Sequence, residues 1–401
     1  MKRILVIAPT SYPVNGAEAI VNIKLLKALS DDGGFIIDLI AKKNKWQNYP
    51  SASIEEYGVK CNLHLVEVDN RIYNPIVILQ NLLCLLTFGV IYKGCHWAVK
   101  AMRVAKQLVK SNNYDYVLTK SNPSYLVGYY LKKKYGVKWV ASWNDPYPNE
   151  LYPQPYGHGS QYSDTSTQRR VSIMQNADVH IFPSMRLQEY MGTYMNIADK
   201  EKIIIPHIIT PMVMPRHKFD GTLRMIHSGK LFSPRSPENL LRGLKQALQL
   251  EPELKIKVSI LGNMNQEYLD LVSKLELEEY FEYLPPVEYH RSLEMLTNFD
   301  VAMIIEANCK EGIFLPTKVG DYMQISVPMF AISPCEGNLY DLYREGYVHF
   351  FANVASPNSI CDELLKCYHS FVSGDISNRL LKHYYKEEYL ADYIVNKYRN
   401  I

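Results

Sequence analysis

Residues 3–29 read RILVIAPTSYPVNGAEAIVNIKLLKAL. The apolar run Arg3–Ala8 is short and ends in a turn-rich loop, as expected of a buried parallel strand. Ala17–Leu29 then spaces its apolar residues as a helix does. A buried strand that passes through such a loop into a helix is the repeating unit of a doubly wound sheet, so this stretch predicts an α/β domain.

The same alternation continues along the chain and restarts after Pro206. In the first half it predicts strands at Phe35–Ala41, Leu63–Val68, Tyr116–Thr119, Val137–Ser142 and Val179–Pro183, and helices at Trp97–Lys110 and Ser124–Lys134. In the second half it predicts strands at Arg224–Ser228, Lys257–Leu261, Phe281–Leu284, Val301–Ile305 and Met329–Ile332, and helices at Pro237–Leu250 and His383–Arg399. We therefore expect an α/β protein with two Rossmann-like, doubly wound parallel-sheet domains facing a cleft.

The length of 401 residues suits two domains, here predicted as 1–205 and 222–382. Residues 206–221 contain three prolines and little periodicity, which is typical of a linker. Residues 1–205 carry 24 Lys and Arg against 16 Asp and Glu, whereas residues 206–401 carry 20 against 25. The basic first half suits an anionic ligand or membrane surface as well as it suits an ordinary solvated surface.

The seven cysteines include no Cys-x-x-Cys pair, which favours a reducing compartment and hence the cytoplasm. The first residues, MKRILVIAPTSYP, predict a strand and not a signal peptide. The stretch Pro75–Ile91 has 17 uncharged residues. It is compatible with a buried or surface helix of the first domain, with a helix that lies in the interface of a membrane at its inner face, or with a membrane-spanning helix.

Three loops that enter helices carry the candidate chemistry. Asn15, Gly16 and Glu18 lie where the first strand turns into a helix, whose free N–H groups favour a phosphate or an acceptor hydroxyl. In the second loop, Lys230 and Arg235 follow Gly229 before a helix start, a position from which two cations can neutralise a diphosphate.

The third loop runs from Glu311 through Pro316, Thr317 and Lys318 to Asp321. Backbone N–H groups near Thr317 and Lys318 can meet phosphate oxygens, and Asp321 can accept hydrogen bonds from ribose hydroxyls. Glu311 precedes the loop and can bind sugar hydroxyls. A fourth cluster, WNDPY at 143–147, follows a strand, and its Asp145 can orient or deprotonate an acceptor hydroxyl.

Taken together, these stretches resemble motifs of the retaining GT-B glycosyltransferases of family 4. The motifs are PTSYPVNGAE at 9–18, SNPSYLVG at 121–128, KKKYGVKWVASWNDPYP at 132–148, NADVHIFPS at 176–184, KIIIPHI at 202–208, SGKLFSPRSPENLLRGL at 228–244 and FLPTKVGDYMQISVPMFAI at 314–332. They occur in the family's order across nearly the whole chain.

The resemblance implies transfer of a hexosyl group from a UDP- or GDP-sugar to a saccharide or lipid-linked acceptor, with retention and without a metal or other cofactor. It implies that the first domain binds acceptor and the second binds donor, with the closing helix, 383–401, packed back on the first domain. The donor site would include Asn263 and the backbone around Leu284 at the base, and Asp321 at the ribose. The partners are thus a nucleotide-sugar and its acceptor, with no nucleic acid.

Two positions depart from the family pattern. Its two acidic residues lie eight apart, but the position eight before Asp321 is Ile313, so Glu311 would have to serve. The region of the family's first-domain histidine is Ser121–Tyr125, without His, and His158 is the available substitute. A nucleotide-sugar epimerase, a phosphorylase, or a catalytically silent scaffold of the same fold therefore stay open as alternatives.

Overall fold

The computed structural model describes residues 1–14, 16–44, 54–69, 71, 73–92, 94–376 and 385–401. It divides the chain into two compact units. Unit 1 comprises Met1–Tyr152, Gly157–Ile208 and Glu388–Ile401, and unit 2 comprises Pro153–Tyr156 and Ile209–Glu387. Residues 206–221, all described, have irregular backbone.

Unit 1 contains a seven-stranded parallel sheet with helices connecting its strands. Its elements are β1 (Lys2–Ile7), α1 (Ala17–Asp31), β2 (Phe35–Asn44), β3 (Asn62–Val68), α2 (Pro75–Phe88), α3 (Cys95–Ser111), β4 (Tyr116–Lys120), α4 (Ser124–Tyr135), β5 (Trp139–Ser142), α5 (Thr165–Met174), β6 (Val179–Phe182), α6 (Met185–Gly192) and β7 (Glu201–Ile204). The strand order is β3-β2-β1-β4-β5-β6-β7. In β1 and β4, Ile4 pairs with Tyr116 and Ile7 with Thr119.

Unit 2 contains a six-stranded parallel sheet in the order β10-β9-β8-β11-β12-β13. Its elements are β8 (Leu223–Ser228), α7 (Glu238–Leu250), β9 (Ile256–Leu261), α8 (Gln266–Lys274), β10 (Phe281–Leu284), α9 (Tyr289–Leu296), β11 (Val301–Ile305), α10 (Thr317–Gln324), β12 (Met329–Ser333), α11 (Asn338–Arg344), β13 (Phe350–Asn353) and α12 (Pro357–Val372). The strands of this sheet are apolar and mostly buried, which is typical of a sheet covered on both faces.

The last helix, α13 (Ala391–Asn400), belongs to unit 1. The Tyr116 hydroxyl of β4 donates to the carbonyl of Tyr398 in this helix at 3.0 Å. Within the predicted helix His383–Arg399, residues 385–390 are not α-helical, because Glu387–Tyr389 form a 3-10 turn and Leu390 is extended. Residues 383 and 384 lie outside the described residues.

The predicted strands are present, with ends that differ from the prediction by at most three residues. Strands β7 and β13 were not predicted. In β13 the short aromatic sequence FFAN gives neither a long apolar run nor a clear alternation. The uncharged stretch from Pro75 forms α2, which ends at Gly89 in the left-handed conformation, φ 71°. Among the described residues, no helix is both long and apolar enough to cross a bilayer.

Candidate functional site

The strand order of unit 2 defines where its site lies. From the neighbours β8 and β11, the chain moves outward in opposite directions, to β9 and β10 on one side and to β12 and β13 on the other. Doubly wound sheets bind ligands at such a switch point, outside the carboxyl ends of the strands. Here β8 ends at Ser228 and β11 ends at Ile305, so the loops that begin at Gly229 and Glu306 flank this position.

Lys318 lies directly against Gly229. Lys318 is the second residue of α10, and a Cβ on Gly229 would be 2.6 Å from its Cε and 2.7 Å from its Nζ. Gly229 also has φ +142°, in the region that favours glycine. The absence of a side chain at Gly229 therefore lets the Lys318 ammonium reach the carboxyl end of β8, beside the N-terminus of a helix.

Arg235 joins Lys318 through a shared carboxylate, Glu306. The Nη2 atom of Arg235 is 3.6 Å from Oε1 of Glu306, and Nε donates to the Tyr156 hydroxyl at 3.1 Å. The guanidinium carbon also lies 5.8 Å from the centroid of the Tyr156 ring, which packs edge-on against Phe314. Tyr156 and Glu306 together fix Arg235 near the switch point.

Burial and neighbouring charges set the protonation of this cluster. Desolvation, reinforced by Arg235, lowers the pKa of Lys318 to about 8, although Glu306 and Asp321 act in the opposite direction. Burial raises the pKa of Glu306, while Arg235 and Lys318 oppose that shift. His227, at the end of β8, is buried and stays neutral because burial, Lys318 and Arg235 all lower its pKa. Two cations thus face one largely desolvated carboxylate.

Two tyrosines hold α10 in place. Ser228 N donates to the Tyr322 hydroxyl at 3.2 Å, and that hydroxyl donates to the carbonyl of Met303 in β11, also at 3.2 Å. Tyr289 donates to Asp321 Oδ1 at 2.6 Å. Asp321 is therefore already hydrogen-bonded, one helical turn after Lys318, and a ribose would share that carboxylate with Tyr289.

The other predicted donor residues lie around the same sheet edge. Asn263 accepts from Leu231 N at 2.9 Å through its carbonyl, and the carbonyl of Leu284 accepts from Gly262 N at 3.0 Å. Pro316 and Thr317 form the start of α10. Glu311 is half-buried in the loop before α10, and its carbonyl accepts from Cys309 Sγ at 3.2 Å.

Lys230 directly follows Gly229 in the chain. Its side chain is exposed, and within the described ranges it has no hydrogen bond or ion pair, so its role at the diphosphate stays a prediction. The side-chain cation in the cluster with Arg235 is Lys318. From the sequence, only its backbone N–H group was predicted to contact a phosphate oxygen of the donor. Glu306 was not singled out at all, although one signal was present: a carboxylate directly follows the fully apolar strand VAMII.

Unit 1 has a corresponding switch point between β1 and β4. Gly16, with φ 90°, precedes α1, and the Glu18 carboxylate in the first turn of that helix accepts from the Ser121 hydroxyl. Thr10 Oγ1 lies 2.9 Å from the same hydroxyl oxygen. Asn15 lies outside the described residues. The loops after β1 and β4 therefore meet through a carboxylate and hydroxyls.

A buried lysine, missed in the sequence, lies beneath these hydroxyls. Lys120 ends β4, its Nζ is 3.3 Å from Ser142 Oγ, and burial lowers its pKa to about 8 although Glu18 opposes the shift. Asp145 is exposed, and both Asp145 and Glu18 contribute to the raised pKa of the half-buried Tyr152, after burial itself. His158 stacks on Tyr162 at 4.5 Å.

Comparisons with known proteins agree on the fold. No protein-family model matches the chain, and no curated protein matches it. Among solved structures, the chain is similar to sucrose-phosphate synthase from Thermosynechococcus elongatus, with a TM-score of 0.68 and 14% identity over 100% of this chain and 99% of that one. It is also similar to Anabaena HepE in complex with UDP and glucose, with a TM-score of 0.67 and 12% identity over the same shares.

A third similar structure is the lipopolysaccharide outer core galactosyltransferase WaaB in its apo form. The TM-score is 0.60 at 13% identity, covering 99% of this chain and 98% of that chain. At these identities the similarity establishes the fold. The chain has the GT-B fold. The similarity to these structures extends over both of its parallel-sheet α/β units.

Proposed function

We propose that the chain is a retaining glycosyltransferase that moves a hexosyl group from a UDP- or GDP-sugar to a saccharide or lipid-linked acceptor in surface polysaccharide biosynthesis. The observation that carries the proposal is the cluster of Lys318, Arg235 and Glu306 at the switch point of unit 2. The similarity to HepE, whose structures hold UDP and UDP-glucose, supports the choice of donor.

In the proposed reaction, unit 2 binds the nucleoside diphosphate. Lys318, Arg235 and the N-terminus of α10 supply positive charge where the bond from the anomeric carbon to the phosphate oxygen breaks. This charge stabilises the departing diphosphate without a metal ion. Asp321, supported by Tyr289, receives a ribose hydroxyl, and Glu311 remains the candidate contact for the donor sugar.

Retention is proposed through the leaving group itself. A new bond forms between the acceptor oxygen and the anomeric carbon on the face from which the diphosphate leaves. The acceptor proton passes to an oxygen of the departing phosphate, so no strong protein base is needed. In unit 1, Glu18 and Asp145 would orient acceptor hydroxyls as hydrogen-bond acceptors, which carboxylates do well.

The test is product analysis with a panel of UDP- and GDP-sugars, with and without acceptors, in parallel reactions that contain EDTA or Mg²⁺. Transfer with an unchanged anomeric configuration, read by NMR, supports the proposal, whereas epimerised donor without acceptor, or phosphorolysis, supports the alternatives.

Arg235→Ala should lower turnover about 100-fold because a charge at the leaving group is lost. The matched control is Lys257→Ala, an exposed cation at the amino end of β9, away from the carboxyl ends of the strands, and turnover should stay within about twofold. Absence of any reaction across the panel favours a catalytically silent scaffold.

A further inference from the structure

The surface of helix α2 is unlike that of the other helices of unit 1. Seven large aliphatic side chains between residues 76 and 86 are exposed: Ile76, Ile78, Leu79, Leu82, Leu83, Leu85 and Leu86. Leu86 is 75% exposed and Ile76 62% exposed. Single exposed aliphatic residues are common on soluble proteins, but so many on one short helix mark an interaction surface.

The buried stripe of α2 is also not wholly apolar. Its inner stripe is Val77, Gln80, Cys84 and Phe88, and Gln80 there is buried. Among the described residues, neither Gln80 Oε1 nor Asn81 Oδ1, both buried atoms, has a hydrogen-bond partner. The outer stripe, Leu79, Leu82, Leu83 and Leu86, follows the helical spacing of three and four residues. A helix with amides inward and leucines outward is poorly suited to water on its outer side.

Cations outnumber carboxylates in the sequence around this apolar face. Between residues 70 and 144 the sequence has 11 Lys and Arg and one acidic residue, Asp115, although one of these cations, Arg71, pairs with Asp69 near the start of α2. At the C-terminal end of α2, Arg169 Nε donates to the carbonyl of Phe88 at 2.7 Å. There Lys133 also lies 5.7 Å from the centroid of the Tyr129 ring, which packs edge-on against Phe88.

The neighbouring helix α3 adds further cations. It packs beside α2, exposes Arg103, Lys106 and Lys110, and contains no acidic residue. A second protein would need an apolar groove lined with acidic groups to match both features. An anionic lipid bilayer offers both at once, since its acyl region accepts leucines and its headgroups attract lysine and arginine.

We propose that the outer face of α2 inserts into the surface of a bilayer rich in anionic lipid, with the cations of α3 and Arg169 at the headgroups. With 14 residues, α2 is about 21 Å long, shorter than the hydrocarbon core of about 30 Å, so it lies along the interface. This inference is independent of the proposed reaction, because it uses no residue of the donor cluster.

The test is co-sedimentation of the full chain with vesicles of phosphatidylcholine, or of phosphatidylcholine with 30% phosphatidylglycerol, at low and high salt. Wild type should bind the anionic vesicles, and binding should weaken as salt rises. Leu79→Glu with Leu86→Glu should reduce binding at least about tenfold because the apolar contact is lost. Arg103→Glu with Lys106→Glu should also reduce it, since each basic residue contributes about fivefold.

The matched control is Leu250→Glu at the end of α7 in unit 2, a leucine that is 66% exposed on a helix without an apolar face of this kind. It should bind as wild type does. Circular dichroism and Tm establish that each variant is folded.

Wild type that fails to sediment with anionic vesicles, or a folded Leu79→Glu/Leu86→Glu variant that binds equally well, would overturn the proposal. A wild-type dimer in ultracentrifugation that this variant abolishes, without vesicle binding, would assign the face to a second copy instead. No sugar donor is involved, so failure here leaves the proposed reaction untouched.

Discussion

The switch points of the two units differ in what surrounds a similar lysine. Lys120 in unit 1 and Lys318 in unit 2 both have a pKa lowered to about 8 by burial. Lys318 lies at a helix N-terminus with Arg235 and a buried carboxylate, whereas Lys120 ends a strand and its Nζ lies 3.3 Å from the Ser142 hydroxyl oxygen. The first setting suits a multiply charged phosphate group, and the second suits a polyol. Under the proposed function, one fold would therefore bind donor and acceptor through different residues at the same position of each sheet.

The largest expected effect separates the two lysines. Lys318→Met keeps the aliphatic stem against Gly229 but removes the charge, so kcat should fall about 100- to 1,000-fold. Lys120→Met should leave kcat and the donor KM within about twofold and raise only the acceptor KM. Initial rates with each substrate varied in turn measure both variants, and equal losses of kcat would show that the comparison is wrong.

A smaller effect should appear with pH. The Lys318 ammonium loses its proton as pH rises through about 8. Affinity for a nucleoside diphosphate should therefore fall about tenfold between pH 7 and pH 9. Titration calorimetry at the two pH values checks this. Lys318→Met should bind weakly at both pH values, and a slope that persists in this variant would place the titrating group elsewhere.

The smallest expected effect concerns unit 1. Glu18→Gln retains the size of the side chain but weakens its hydrogen bonds as an acceptor, so the acceptor KM should rise about threefold to tenfold. The donor KM should not change, because Glu18 belongs to the other unit. A change in donor KM with an unaltered acceptor KM would reverse the assignment of the two switch points.

The sequence predicted the strand–helix alternation well because each buried strand is a short apolar run with its own turn signals. It also identified Arg235, Lys318 and Asp321, which lie in loops that enter helices. It could not reveal that Lys318 accompanies Arg235 while Lys230 is exposed, because this depends on β11 pairing with β8, a contact between distant segments.

Buried charges were the hardest residues to recognise. Glu306 and Lys120 each lie at the end of a buried strand, and a single polar residue there looks like the ordinary edge of a strand. Their burial follows from the neighbouring loops, which the local sequence does not describe. The exposure of the α2 leucines was likewise undetermined, since an apolar helix can face a core or a membrane with the same sequence.

The central claim is that Lys318 and Arg235 bind a diphosphate. The most direct measurement is titration calorimetry of the full chain with UDP and UMP, and with GDP and GMP, in wild type and Lys318→Met. Wild type should bind the diphosphate of its preferred nucleoside at least about tenfold more tightly than the monophosphate, because one more charged hydrogen bond contributes about 1.5–3 kcal/mol. In Lys318→Met this preference should shrink, since only Arg235 remains at the diphosphate. Equal affinities in wild type, or a preference that is undiminished in Lys318→Met, would contradict the account.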